Sequence, residues 1–473
     1  MKSILATALL TGLFTLSTAS ALACTSIIVD KDETTDNSYL VGRVEDAVMA
    51  GKRFLIHKAD ENTGKLAYSV LSDCEGDGSE TYGATGFNSA GVGMSGVVTI
   101  HTKAEVKAID PYTENGVTES EILGLVLPQI HSAEEGVEVL GKIIAERGMA
   151  EGCGVSFVDK DGIWYMETAG GHHWLAQKIP QGKCFVTGNE GRLRNYDAND
   201  KANFRGSSDL VSFAKENKLY DTTKEFDFHE AYMSQVDKNK TYNHVRVTRL
   251  QNLLNHEMTA DLAANAEKAP VFIDADRKVS LKDVKTLFRD HYNGTEYDVY
   301  AKQQKLQYRP VSMFSAGEVH IMQVRPQLPQ EIGNINYIGI GIPDLAVFLP
   351  YYSGMKEYLP GYGVDASKMD SKSVYWAYRK LQTLVMTDYP AYAPQVKSAY
   401  ADFEDKLAKK QQDMESKYLS LYKTDKQKAD DLLQKFQTGV MQESLELTDS
   451  LTNDIFEDMF MKTQDKYHYS YND

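Results

Sequence analysis

Cys24 follows Ala21-Leu22-Ala23, and that context makes it the first residue to consider for chemistry. Upstream, Lys2 supplies a small positive charge, and Ile4 to Leu16 form an apolar run broken only by small or hydroxyl side chains. Ala21 and Ala23 then give the small-x-small pattern after which export leaders are cut. The run is too short to span a bilayer, so residues 1–23 read as a removable signal peptide and the protein as exported, periplasmic or extracellular. Cutting after Ala23 leaves Cys24 with a thiol and a free α-amine on one residue. A thiol with a pKa of about 8.5 is mostly protonated at neutral pH and needs a base. The α-amine titrates at about 7.7–8.0, so it can take the thiol's proton and later return it to a leaving amine. Two other readings compete. Cys24 could carry a lipid anchor, although that signal prefers an aliphatic residue where Ala21 stands, or it could be an ordinary thiol near the cut.

The elements that must position this cysteine come next. Cys24 to Val29 reads as a strand, Asp30 to Ser38 as a polar turn, and Tyr39 to Arg43 as a returning strand that runs into Val44-Glu45-Asp46. A hairpin brings Arg43 and Asp46 back beside Cys24. There a cation favours thiolate and a carboxylate orients the amine. Taken alone, the two would be a surface ion pair at a strand end.

An N-terminal Cys-Thr-Ser followed after a hairpin by Gly42-Arg43-Val44-Glu45-Asp46 resembles the dipeptidases of the N-terminal-cysteine (Ntn) hydrolases, relatives of bile-salt hydrolases and penicillin V acylases. The resemblance implies an α+β fold, a four-layer αββα sandwich of two antiparallel sheets. It extends, in separated segments, from Cys24 to about Leu381. It also implies roles for two later residues. Asn189, in Val186-Thr187-Gly188-Asn189, matches an asparagine that contacts the nucleophile region. Arg246, in His244-Val245-Arg246-Val247-Thr248-Arg249, matches an arginine that completes the charge network, with Arg249 as second choice. Arg289-Asp290-His291-Tyr292 resembles a dipeptidase segment that shapes the substrate side. In the bile-salt relatives an asparagine beyond the Asn88-Ser89-Ala90-Gly91 turn donates to the oxyanion. Val98 and Thr99 stand nearest that place, so another group, such as a backbone amide, must donate instead.

Several tempting motifs carry other meanings. Gly91, Gly93 and Gly96 spell G-x-G-x-x-G, but a strand follows where a dinucleotide site needs a helix. Asp274 to Ser280 mimics a calcium loop, yet Val279 and Lys285 occupy positions that need glycine and an acid, so a helix start is expected. His172-His173 lacks a third ligand for zinc. His320 is read as a strand residue rather than a papain-like base. Thr118-x-x-Glu121 and Ser132-x-x-Glu135 are capping boxes, and Gly148 closes the second helix. Short strands are expected between Cys153 and Phe185.

With the leader removed, 450 of 473 residues remain, enough for one large or two ordinary domains. A net charge of −16 argues against nucleic acid or an anionic membrane as partner. Beyond Cys24, three cysteines remain: Cys153 with Cys184 is the favoured bridge, and free buried thiols are favoured over any bridge. From Ser371 the chain turns helical, with Pro390 ending one helix. Val396, Tyr400, Phe403, Leu407, Met414, Tyr418 and Leu421 then line a seam broken at Gln411, and Thr424 caps a third helix. A helical hairpin packed on the core is the default, and a homodimer seam the alternative. The expected organisation is a leader (1–23), a hydrolase domain (24–365) and a C-terminal helical region (366–473). The expected activity is hydrolysis of dipeptides by Cys24 with Arg43, Asp46, Asn189 and Arg246, without cofactor or metal and without stable membrane insertion. An acylase acting on a non-peptide amide, or a non-catalytic lipoprotein, are the alternatives.

Overall fold

Consecutive apolar side chains in Ile27-Ile28-Val29 suit a strand covered on both faces. In the computed structural model this segment is β1 (Thr25–Val29), buried throughout. The structure describes residues 24–46, 51–80, 82–236, 238–258, 269–302 and 306–467; the leader expected at 1–23 lies outside them.

The strands follow as β2 (Tyr39–Asp46), β3 (Gly51–His57), β4 (Tyr68–Cys74), β5 (Gly83–Phe87), β6 (Gly93–Thr99), β7 (Cys153–Asp159), β8 (Gly162–Ala169), β9 (His173–Lys178), β10 (Cys184–Thr187), β11 (Phe204–Gly206), β12 (Phe272–Ile273), β13 (Ala316–Val324), β14 (Asn334–Ile340) and β15 (Leu349–Tyr352). They form two antiparallel sheets, of order β12-β10-β1-β2-β13-β14-β15 and β11-β9-β8-β7-β6-β5-β4-β3. Strand alternation sorts the side chains of β1 and β2 between two cores. Cys24, Ile28 and Val41 meet Val98, Tyr165 and Met322 between the sheets. Ile27, Val29, Leu40 and Val44 face Val247, Leu250 and Phe288 on the outer helices. The second sheet buries its far face under Ile122, Leu123, Val137, Leu140 and Ile144. The order is therefore helix, sheet, sheet, helix, an α+β sandwich.

Local rules explain the joints. Gly42 lets the Leu281–Phe288 helix press onto β2, because a Cβ there would collide with the Phe288 ring. Asn88 holds the β5–β6 turn: its Oδ1 accepts from the Ala90 and Val92 amides, and its Nδ2 donates to the Leu127 and Ile130 carbonyls at 2.8 Å. Ser280 starts a helix with a complete capping box to Asp283, as the failed calcium pattern suggested. The Thr118–Glu121 box forms too. At Ser132 only half of the box exists, because Glu135 reaches back to the His131 amide instead. His172 and His173 share the Asp110 carboxylate through their Nδ1 atoms, at 2.9 and 2.7 Å.

The C-terminal helices are Val374–Val385, Tyr389–Tyr422 and Lys426–Lys466. The last two run antiparallel, pairing Tyr400 with Thr448 and Tyr418 with Asp430, and their apolar side chains join the cores of the sheets. Gln411, the polar gap in the seam, donates to the Tyr337 hydroxyl at 2.8 Å. Three expectations need correction. Pro390 does not end a helix but sits in the first turn of the next, where its missing N–H costs nothing. Asp425 rather than Thr424 caps the last helix, accepting from the Lys428 amide. Cys153 and Cys184 lie in different sheets, not in one meander, and all four cysteines are free and buried. Among the described residues no helix is long and apolar enough to cross a membrane.

Candidate active site

Pairing of β1 with β2 sets Thr25 opposite Val44 and Ser26 opposite Arg43. Arg43 and Glu45 then share the face of β2 that looks between the sheets, as Cys24 does from the start of β1. The Arg43 Nη2 lies 3.4 Å from the Cys24 sulfur. The same nitrogen donates to the Tyr82 hydroxyl and reaches Glu45 Oε2 at 3.5 Å. Nη1 stands 3.5 Å from Glu318 on β13. Behind this first ring of contacts, Lys52 pairs with Glu45 and Asp73, and His320 links Glu318 to the Ser95 hydroxyl, 2.8 Å from its Nε2. His320 is indeed a strand residue, paired across β13 with Arg43. Burial raises the Cys24 thiol pKa, with Arg43 pulling the other way. The Arg43 pKa stands well above the ordinary value: burial opposes this, but Cys24, Tyr82, Glu45 and Glu318 together outweigh it. Burial, with the Glu151 charge, pushes Glu119 up to about 8 beside this cluster.

On the other side of the β1 backbone stands Arg246, from the His244–Leu254 helix. Its Nη1 donates to the Cys24 carbonyl at 3.0 Å and to the Thr25 hydroxyl at 2.8 Å. Its Nη2 donates to Asn189 Oδ1 at 3.2 Å and Asn243 Oδ1 at 2.8 Å. Asn243 also exchanges two bonds with the Asn189 backbone, at 2.9 and 3.0 Å, which fixes the turn after β10. Gly188 allows this approach, since a Cβ there would sit 3.0 Å from both Arg246 Nη2 and Asn243 Oδ1. Glu167 on β8 secures the same loop by accepting from the Arg192 and Leu193 amides.

Four of the expected residues thus converge on Cys24 or its immediate contacts: Cys24 itself, Arg43, Arg246 and, through Arg246, Asn189. The fifth, Asp46, ends β2 with both carboxylate oxygens engaged, by Arg309 and by the Ser315 hydroxyl. Arg309 stacks on Tyr242 at 4.8 Å, and Arg246 lies over the same ring at 5.2 Å. Arg249, the second choice, is elsewhere: it pairs with Asp290 at 2.8 Å. The Arg289–Tyr292 segment also supports the site indirectly, since the Tyr292 hydroxyl donates to the Arg309 carbonyl at 3.1 Å. Sequence reasoning missed Tyr82, Glu45, Glu318, Asn243 and Arg309. Two of these carried a usable signal. Glu45 is two residues from Arg43 on one strand, and Asn243 is three from Arg246 at the start of one helix.

The model of peptidase family C69 matches residues 23–402. A probable dipeptidase from Salmonella dublin is 42% identical over 367 residues, which cover 73% of this chain and 84% of that protein. A probable dipeptidase from Latilactobacillus sakei is 31% identical over 407 residues, covering 82% and 85%. Among solved structures, a mutant conjugated bile acid hydrolase from Clostridium perfringens aligns with 69% of this chain and 96% of its own, at 13% identity and a TM-score of 0.27. With most of its length matched by the family model, this chain belongs to peptidase family C69.

Proposed function

We propose that this peptidase is an exported dipeptidase whose nucleophile is the Cys24 thiol, activated when the leader is removed. The α-amine freed at Cys24 accepts the thiol proton, and the sulfur attacks the carbonyl carbon of the single peptide bond. The C–N bond then breaks, the leaving amine takes the proton back, and a thioester remains on sulfur. Water attacks the thioester with the α-amine again as base, releasing the acid and restoring the thiol. The observation that carries this reading is the 3.4 Å approach of Arg43 to the sulfur within a wholly buried polar cluster. A fixed cation there lowers the cost of forming thiolate, against the burial that raises it. Arg246 acts on the nucleophile's backbone, holding the Cys24 carbonyl and so the direction in which the amine leaves β1. The dipeptide substrate is supported by the relatives' names and the family.

Intact-mass analysis of the exported protein tests maturation and mechanism together. A chain that begins with an unmodified Cys24, loses dipeptide turnover on iodoacetamide treatment and keeps it under chelation supports the reading. A different first residue, an acylated amine, or turnover that survives alkylation would refute it.

A further inference from the structure

We propose that Tyr82 is a positioning residue for this reaction: its phenol oxygen anchors Arg43 Nη2 and thereby keeps that nitrogen against the Cys24 sulfur. The inference rests on the thiol reading given above and extends it to a residue outside the expected site.

Arg43 is completely buried, and its Nε and Nη1 make no hydrogen bond. The group is tethered through Nη2, which has two hydrogens and three neighbouring acceptors. Two of those are distant for hydrogen bonds, Cys24 Sγ at 3.4 Å and Glu45 Oε2 at 3.5 Å. The bond to Tyr82 is the short one. Two carboxylates wait on either side, Glu45 on β2 and Glu318 on β13, each 3.5 Å from a guanidinium nitrogen. Without the phenol, those carboxylates are the strongest acceptors left, and closing onto them draws Nη2 away from sulfur. A neutral oxygen is suited to the anchor, because it holds the cation without cancelling its charge.

The backbone is arranged for this contact. Tyr82 has φ of +48°, a left-handed conformation that costs energy for a residue with a Cβ and persists where surroundings enforce it. Its ring is buried, with the Arg43 guanidinium 5.6 Å and the Lys52 ammonium 5.5 Å from its centroid. Burial keeps the hydroxyl protonated far above neutral pH, despite Arg43, so it remains a neutral partner throughout the working range. The charged or titratable groups around the Cys24–Arg43 pair are Glu45, Lys52, Asp73, Glu119, Tyr242, Arg246, Glu318 and His320. Replacing Tyr82 by phenylalanine changes none of them.

The test compares the processed wild type with Tyr82→Phe, alone and in an Arg43→Lys background. Three quantities are read: the pH profile of iodoacetamide alkylation at Cys24, kcat and KM on a dipeptide, and Tm. The expected result is an alkylation midpoint about one pH unit higher, which is about ten-fold slower alkylation below the midpoint. A comparable fall in kcat should accompany it, with KM and Tm close to wild type and no further effect of Y82F once Arg43 is lysine. Superimposable alkylation profiles would overturn the proposal, as would an equal Y82F effect with and without Arg43, or a loss that tracks Tm alone. Wild-type turnover that resists alkylation would instead overturn the thiol reading, and this proposal with it.

Discussion

Two buried arginines flank the first strand, and they are bound in opposite ways. Every side-chain nitrogen of Arg246 donates: Nε to the Tyr242 carbonyl, Nη1 to Cys24 and Thr25, Nη2 to Asn189 and Asn243. Those acceptors are neutral oxygens. Burial and the nearby Arg309 charge lower its pKa accordingly. Arg43 makes few hydrogen bonds but is ringed by carboxylates, a phenol and the sulfur, which raise its pKa in spite of burial. Neutral, saturated bonding fixes geometry and resists change. A cation with unused donors and charged neighbours can respond when charge develops beside it. The contrast assigns architecture to Arg246 and electrostatics to Arg43.

The strongest way to break that contrast is Arg246→Met. Several buried acceptors lose their donor at once, so unfolding in urea should show a loss on the order of 3–5 kcal/mol, with activity failing through the fold. A loss below about 1 kcal/mol would remove the architectural half. Arg43→Lys is the counterpart. It keeps one charge but loses the planar fork, and kcat/KM on a dipeptide should fall about 100-fold, roughly 2.7 kcal/mol in barrier. The urea midpoint should move far less than in R246M. If both variants lost stability equally, the two arginines would be doing one job.

Arg43 was legible in the sequence through a short hairpin and the family resemblance together. A hairpin returns position 43 to the neighbourhood of the first strand, but taken alone that placement reads as a surface ion pair, and the resemblance to the dipeptidases made it a site residue. The two-sheet architecture came from the resemblance rather than from periodicity, which could place strands but not their neighbours. Tyr82 and Glu318 were not legible: they lie 39 and 275 positions from Arg43, and they meet it because the residue just before β5 reaches across from the facing sheet and β13 pairs beside β2 in its own sheet. Asn243 sat in plain view beside Arg246, but nothing local says that an asparagine at a helix start will turn toward a distant loop. The cap expected at Thr424 failed in a similar manner. Thr424 and Asp425 are both competent caps, and the choice between them depends on where the preceding helix ends.

A smaller effect separates buried charge from buried hydrogen bonding. Glu119, at the edge of the Arg43 cluster, is held up to about 8 by burial and by Glu151. The unfolded carboxyl ionises near 4.5 while the folded one keeps its proton, so stability falls as pH rises from about 4.5 to about 8 and then levels off. Glu119→Gln removes that slope. Between pH 7 and 8 the variant should exceed wild type by about 1–3 kcal/mol, and near pH 4 the two should converge. Melting curves across pH measure this. A gap that is independent of pH would mean that the side chain matters for packing and not for charge.

The smallest expected change sharpens the comparison from outside. Lys410 and Glu443 join the two long C-terminal helices at 2.7 Å, a closer approach than any Arg246 makes to Asn189, Cys24 or Thr25. Both side chains are about half exposed, at 53% and 48%. Water solvates each ion almost as well apart as together, and ordering two long side chains offsets the attraction. Lys410→Ala should therefore cost no more than about 0.5 kcal/mol in low salt, and the difference should vanish in 1 M salt, where charges are screened within about 3 Å. Distance alone would rank this pair level with or above every Arg246 bond; desolvation ranks it far below. Should K410A instead cost as much as R246M, burial would not be what distinguishes the site's arginines, and their different surroundings would lose the meaning given to them here.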